Sequence, residues 1–257
     1  MEFSSENKLL SIITASFNSE KTIKETIQSV LNQTITNFEY LIVDGKSTDN
    51  TLEIVKSFEE KFAKKSIPFT WVSEKDTGIY DAFNKGVKLA KGEWISFLGS
   101  DDVYKKNALE IYQKKLKSLK DKVDIIHSEV KVGNKKVIKG KWSWKVFRRS
   151  MNIAHVGAFH HKNYFKKQGL FDTSYKIAGD YELLLRAKSN LKTYKFNTIT
   201  VVMGDSGVSN SNIKFVYKET TRAKIATAKV PKAIAQLDYY KWMLKSRIKK
   251  VLNAFAR

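Results

Sequence analysis

Two adjacent carboxylates, Asp101 and Asp102, follow the apolar run WISFL and the short turn Gly99-Ser100. Held side by side they repel each other unless a cation or hydrogen-bond donors balance them. The economical reading is a divalent metal site, Mn or Mg, built from Asp102 and Asp101. More polar groups stand in equivalent places. Asn18 follows an apolar stretch, Asp44 ends EYLIV, and Asp76 lies in the turn after FTWV. Asp81 and Asn84 sit one helical turn apart in GIYDAFNKG. Asn is a poor mid-helix residue, so Asn84 hints at a polar task. A further acid, Asp180, opens the helical pattern of AGDYELLLR, where it could also serve as an N-cap.

The spacing of apolar residues supplies the elements that place these groups. Strands are predicted over 9–15, 39–43, 69–72 and 94–98. Between them lie helices whose inward faces are Ile23, Ile27, Val30 and Leu31, then Leu52, Val55 and Phe62 over 50–64, then Tyr80, Phe83, Val87 and Ala90. Alternating strand and helix argues for an α/β fold with a mostly parallel central sheet flanked by helices. Asn18, Asp44, Asp76 and Asp101-Asp102 then all fall past the carboxyl ends of strands, the edge where open sheets bind ligands. No G-x-G-x-x-G or G-x-x-x-x-G-K-[ST] occurs, which weakens dinucleotide and P-loop readings.

The second half reads as a helix over 106–120, with Leu109, Tyr112, Leu116 and Leu119 inward. A hairpin follows, with strands 124–132 and 135–138 around Gly133-Asn134. Next come the basic aromatic stretch KWSWKVFRR, a strand over 194–203 and a small-residue loop over 204–212. The stretch 1–212 is expected to form one domain, with 213–257 a helical tail. In the tail Leu237, Tyr240, Leu244, Ile248, Val251 and Phe255 recur at helical spacing beside Lys241, Lys245 and Lys249. A basic amphipathic helix of this kind, with Trp242 beside it, suits an anionic membrane surface or packs on its own domain.

The 257 residues carry a formal net charge of +21, which calls for an anionic partner. With 42% hydrophobic residues the chain can bury a core, and with no cysteine it has neither a disulfide frame nor a thiolate zinc site. MEFSSENK lacks the apolar core of a signal peptide, and no run reaches the ~18 apolar residues of a spanning helix.

Five stretches together carry a resemblance: SIITASFN, LIVDGKSTDNT, SEKDTGIYDAFNKGVKLAKGEWISFLGSDD, HVGAFHHKNYFKKQGLFDTSYKIAGDYELLLR and DSGVS. In this order and spacing the chain resembles a family 2 inverting glycosyltransferase of the nucleotide-diphospho-sugar fold called GT-A, over roughly residues 8–210. It is most similar to bacterial enzymes of exopolysaccharide, capsule and lipopolysaccharide assembly. The resemblance implies that Asp44 contacts the nucleotide and that the metal-binding D-x-D motif falls on Gly99-Ser100-Asp101-Asp102. Gly99 stands where the common form has Asp, which shifts the metal role to Asp102 assisted by Asp101. It implies that Asp180 is the acidic general base, with Gly179 in place of the usual Glu of a Glu-Asp pair. His155 matches a histidine often found upstream of that base. Asn18, Asp76 and Asn84 join Asp44 and Asp101 as donor-binding candidates.

The expected enzyme moves a sugar from a nucleotide-diphospho-sugar, UDP-linked, to a hydroxyl of a glycan or lipid-linked saccharide. It would work in the cytoplasm, peripheral on the inner face of the plasma membrane, with no nucleic-acid partner. Two other classes fit parts of the sequence. A nucleic-acid-binding module explains the charge and the KWSWKVFRR aromatics but has no use for the acidic edge. A non-catalytic nucleotide- or glycan-binding relative explains Gly99 and Gly179.

Overall fold

The computed structural model describes residues 10–119, 123–133, 136–204 and 212–255. Nine strands among these residues form one sheet in the order β3-β2-β1-β4-β8-β6-β9-β5, with β7 paired to β6. Its first half follows the expected alternation: β1 (Leu10–Ser16), α1 (Ile23–Leu31), β2 (Phe38–Asp44), α2 (Thr51–Lys56), α3 (Glu59–Lys64), β3 (Phe69–Ser73), α4 (Ile79–Leu89) and β4 (Trp94–Phe97). These four strands are mutually parallel, and Ser16, Asp44 and Ser73 stand in one register at their carboxyl ends.

Neighbouring residues of the central strand feed opposite faces, as a period of two requires. Ile12 and Ile42 pack beneath α1 and α5 (Ala108–Ser118) with Tyr112, Val30 and Phe62. Ile13 and Leu41 pack beneath α4 with Phe83, Phe97 and Tyr181. Two cores on the two faces therefore clamp the sheet rigidly and leave its carboxyl edge free to carry loops.

Two expectations need correction. The sheet is mixed rather than mostly parallel. Four-residue β8 (Ala158–His161) runs antiparallel to both β4 and β6 (Ile125–Val132), and two-residue β5 (Val103–Tyr104) is antiparallel to β9 (Thr193–Met203). Only β9, pairing with β6, adds a further parallel pair. Ala158, Phe159 and His160 are wholly buried, so β8 shows no alternation to read. The helix expected over 50–64 is split into α2 and α3. At the break the Phe58 N–H donates to Val55 three residues back, tightening the chain and turning Phe58 inward beside Val55 and Phe62.

The remaining elements are the hairpin strand β7 (Lys136–Ile138), α6 (Trp144–Phe147), α7 (Lys162–Gln168), α8 (Gly179–Arg186), α9 (Ile213–Ala226) and α10 (Lys232–Phe255). Residues 205–211 of the loop expected over 204–212, with the motif DSGVS, and Asn134 lie outside the described residues. The segment after 212 is part of the body, not merely attached to it. Ala223, Ala228, Val230 and Ala235 join the α4–α8 core, and Asp238 of α10 pairs with Arg149 and Lys224. Beyond that anchor the face of α10 changes character: Leu237, Tyr240, Leu244 and Ile248 are 50–66% exposed. The side chains of Lys245, Lys249, Val251 and Phe255 lie outside the described part. Among the described residues no helix is long and apolar enough to cross a membrane.

Candidate active site

The loops after β1, β2, β3 and β4 converge as the sequence predicts, and serines stitch them together. Asp44, fully buried, accepts hydrogen bonds from the hydroxyls of Ser16, Ser47 and Ser73 and from the Ser47 N–H. Its carboxylate thus spans three strand ends and fixes the floor of the site. Asn18 adopts a left-handed φ of 47°, and its amide oxygen accepts the Thr48 N–H at 2.9 Å while its own N–H reaches Ser47. Asp76 accepts the Gly78 N–H at 2.9 Å and lies against Gly45. Phe17 closes on the same glycine with 62% of its surface exposed. An exposed aromatic beside a carboxylate is a flat stacking surface with an acceptor at its rim. Sequence reading passed over Phe17 because a single aromatic at a strand end has no periodicity. Its place between an apolar strand and a polar turn was the available signal.

The acidic pair is held more tightly than its sequence suggested. Asp102, 6% exposed, accepts the N–H of Gly99 through one oxygen and that of Gly204 through the other, each at 2.9 Å. Burial and the neighbouring charge of Asp101 push its carboxyl up to about 7, against the pull of those two N–H groups. Asp101 is the more exposed of the two. The glycine at 99 has a steric cause: a Cβ there would stand 2.6 Å from Asp102 Oδ2 and 3.2 Å from Asp101 Oδ1. An Asp at 99 would displace the Asp102 carboxylate from its bonds. Among the described residues no three His, Asp or Glu side chains could hold a metal by themselves. Asp101 and Asp102 fit a cation shared with a ligand's phosphates, the usual arrangement for magnesium-type ions. The Ser19 and Ser100 hydroxyls, 2.9 Å apart, tie the β1 loop to this turn.

Asp180 is not the N-cap of its helix; it is the second residue of α8. Burial pushes its carboxyl up to about 6, while the Tyr181 N–H and the Tyr80 hydroxyl hold it down and Glu219 pushes it further up. The Tyr80 hydroxyl lies 2.6 Å from the Ile177 carbonyl and 3.2 Å from Asp180 Oδ1. Tyr80 is the second residue of α4, just past the Asp76–Gly78 turn, and Lys176 Nζ donates to the Thr77 carbonyl at 2.6 Å. Asp180 is therefore brought to the same edge as the first-half acids. Gly179 is explained as well: a Cβ there would meet the Tyr80 ring at 2.7–2.9 Å. A Glu at 179 would expel the side chain that orients Asp180.

Glu219 of α9, which sequence reading missed, completes the arrangement. Its buried carboxylate accepts the N–H groups of Lys176, Ile177 and Ala178 at 2.8–2.9 Å. This shapes the loop entering α8. No local pattern could reveal it, because its partners are about 40 residues upstream.

These contacts give two effects of opposite sign. Tyr80→Phe removes a donor to the Asp180 carboxylate, so the acid limb of the kcat profile is expected to move above about 6. Glu219→Gln removes a negative charge, so the limb is expected to move below it. Gln also cannot accept three N–H groups, so kcat should fall about tenfold while donor affinity holds, for a loss of roughly 1–3 kcal/mol of loop order. Limbs that stay put in both variants would separate Asp180 from the observed ionisation.

Other expected residues have different tasks. Asn84 is buried, and both ends of its amide bond the backbone of Phe171 at 2.9 Å, pinning α4 to the segment before α8. In this structure its amide acts as a clamp between those two segments. His155 stacks on Phe97 with centroids 4.9 Å apart, and burial pushes it down to about 3. It is a neutral core histidine. The KWSWKVFRR aromatics pack inward: Trp142 lies on Phe147, which is fully buried against Tyr181. Trp142 and Trp144 are each partly buried against the α4–α8 core.

Comparison with known proteins bears on the same residues. The sequence model described as Glycosyl transferase family 2 matches residues 11–184, from β1 through Asp180. A PGL/p-HBAD biosynthesis glycosyltransferase of Mycobacterium bovis is 29% identical over 189 residues, covering 71% of this chain and 70% of that protein. A UDP-Glc:alpha-D-GlcNAc-diphosphoundecaprenol beta-1,3-glucosyltransferase of Escherichia coli is 35% identical over 137 residues, covering 53% of this chain and 51% of that protein. The fold is similar to that of a mannosyltransferase of Pyrobaculum calidifontis solved with GDP-Man and Mn2+. Their TM-score is 0.69 at 19% identity, over 96% of this chain and 75% of that one.

Proposed function

This chain belongs to glycosyl transferase family 2, and from that premise we propose an inverting, metal-dependent transfer of a sugar from a UDP-sugar to a lipid-linked saccharide. The relatives that match act in glycan biosynthesis, and the E. coli one by its name uses UDP-Glc and a diphosphoundecaprenol-linked acceptor. One observation carries the assignment of chemistry. Asp180, its carboxyl raised to about 6, is hydrogen-bonded to Tyr80 at the edge that also bears Asp101 and Asp102. A base near that value is ionised at neutral pH yet basic enough to share a hydroxyl proton.

In this reading the nucleobase stacks on exposed Phe17, with Asp76 at its rim and Asp44 setting the strand ends beneath. Asp101, with Asp102, would hold a divalent cation, whose chemistry is to neutralise charge growing on the leaving diphosphate. Asp180 takes the proton of the acceptor hydroxyl as that oxygen attacks the anomeric carbon from the face opposite the diphosphate. One displacement inverts the configuration. The test is a screen of UDP-sugars for Mn2+-dependent transfer to a prenyl-diphosphate-linked sugar, with the product anomer assigned by NMR. A retained configuration, or release of UDP with no dependence on Asp180, overturns the reading.

The same proposal places the enzyme on the inner membrane face through α10. Leu237, Tyr240, Leu244 and Ile248 form the exposed stripe, and Lys241 stands beside them. Leu237→Glu/Leu244→Glu is expected to lower co-sedimentation with anionic vesicles about tenfold or more, since each buried Leu is worth roughly 1.5–3 kcal/mol. Both sites are exposed, so the melting temperature should hold. Unchanged sedimentation would remove α10 as the anchor.

A further inference from the structure

A pocket of about 470 Å³ opens between α9 and α10, lined by Asn212, Lys214, Phe215 and Lys218 from one side and Tyr239 and Tyr240 from the other. Among the described residues no carboxylate lines it, and its charge comes from the two lysines. Its position links it to the chemistry at two ends. Lys218 directly precedes Glu219, whose carboxylate holds the backbone of Ala178 two residues before Asp180. Asn212 follows Gly204, the partner of Asp102, by eight residues, a tether of at most about 28 Å. The third side faces outward. Tyr240 belongs both to the pocket wall and to the exposed stripe with Leu237, Leu244 and Ile248.

We propose that this pocket is an acceptor subsite for the diphosphate of a prenyl-type lipid carrier. Lys214 and Lys218 meet the phosphates, Phe215 and Tyr239 flank them, and the carrier's chain leaves past Tyr240 along the apolar stripe toward the membrane. The sugar end is then presented toward the loop that carries Asp180. Two ammonium groups with no competing carboxylate among the described lining residues match a diphosphate, and the continuity of pocket and stripe matches an anion joined to a long apolar chain. The proposal rests on the reading of the chain as a transferase with a lipid-linked acceptor.

Binding is measured directly, with farnesyl diphosphate as the probe and the full chain saturated with UDP so that the donor's diphosphate site is filled. Calorimetry is expected to show that Lys214→Gln/Lys218→Gln weakens farnesyl diphosphate at least about tenfold. Farnesol and inorganic pyrophosphate should each bind the unaltered protein at least about tenfold more weakly than farnesyl diphosphate, because each offers only half of the matching chemistry. Both lysines are exposed, and an unchanged melting temperature would confirm the fold of the variant. Equal affinity of variant and unaltered protein overturns the proposal. So does pyrophosphate binding as tightly as the probe, which makes the pocket a plain anion patch. Displacement of the probe by glycerol 3-phosphate, a soluble phospholipid headgroup without acyl chains, assigns the pocket to bulk lipid headgroups and also overturns it. The measurement contains no transfer step. Loss of binding in the variant therefore supports the subsite even if no sugar is transferred, and Asp180-dependent transfer with unchanged probe affinity removes the subsite while leaving the enzymatic reading intact.

Discussion

Asp180→Asn is expected to leave the affinity for a UDP-sugar unchanged and to lower kcat by ~10²–10⁴-fold, the range that a positioned general base contributes. Asn keeps the shape of the side chain, and its carbonyl oxygen can still accept from the Tyr80 hydroxyl and the Tyr181 N–H that Asp180 Oδ1 meets now. A purely structural role would therefore survive the change. Stability supplies an independent readout. The folded Asp180 carboxyl is raised from 3.8 to about 6, so its stabilising contribution is present at low pH and is lost as pH rises through that window. At pH 8 the native enzyme holds a buried charge that the Asn variant lacks. The variant is expected to be more stable there by roughly 1–3 kcal/mol, and the difference should shrink toward pH 4. Scanning calorimetry at the two pH values checks the sign. A kcat within about fivefold of the unaltered protein would sink the base assignment, given the ~10²-fold minimum.

The second large effect separates two neighbouring acids by what each one holds. Asp101→Ala is expected to abolish the Mn2+-dependent part of UDP-sugar binding with little change in melting temperature, because its carboxylate is the more exposed of the pair. Asp102→Ala is expected to abolish the same binding and also to destabilise the protein. It strips the acceptor from the Gly99 and Gly204 N–H groups, and each buried donor left unsatisfied costs about 1–3 kcal/mol. Calorimetry with UDP-sugar, with and without Mn2+, reads the first effect, and thermal unfolding reads the second. Donor affinity equal to the unaltered protein in both variants would remove the metal site from this pair. Equal melting temperatures would show that Asp102 does not hold the turn. Gly99→Asp, which restores the common form of the motif, should behave like a mild Asp102→Ala, since its Cβ alone would stand 2.6 Å from Asp102 Oδ2.

What the sequence by itself determined is the part of the fold written in local periodicity. Strands β1 to β4 and the inward faces of α1 and α4 follow from the spacing of Ile12, Ile13, Ile23, Ile27, Tyr80 and Phe83, because burial selects one face of each element whatever packs on it. That alternation was enough to put Asn18, Asp44, Asp76 and Asp101-Asp102 on one sheet edge. The family was legible too, because its motifs are short runs at strand ends. Only the tertiary structure decided what each acid does there. Asp44 proved to be the floor of the site because serines at the ends of β1 and β3 and in the loop after β2 reach it, and serines carry no periodic signal. Asn84 proved to be a clamp because Phe171 lies against it from 87 residues away. Gly99 and Gly179 read as losses until Asp102 and Tyr80 were seen to occupy the space beside them. Glu219 entered the site from beyond the family-matched residues. Hydrogen bonds and close approaches between residues distant in the chain depend on how the elements pack, and that information is spread over the whole core rather than held in any one stretch.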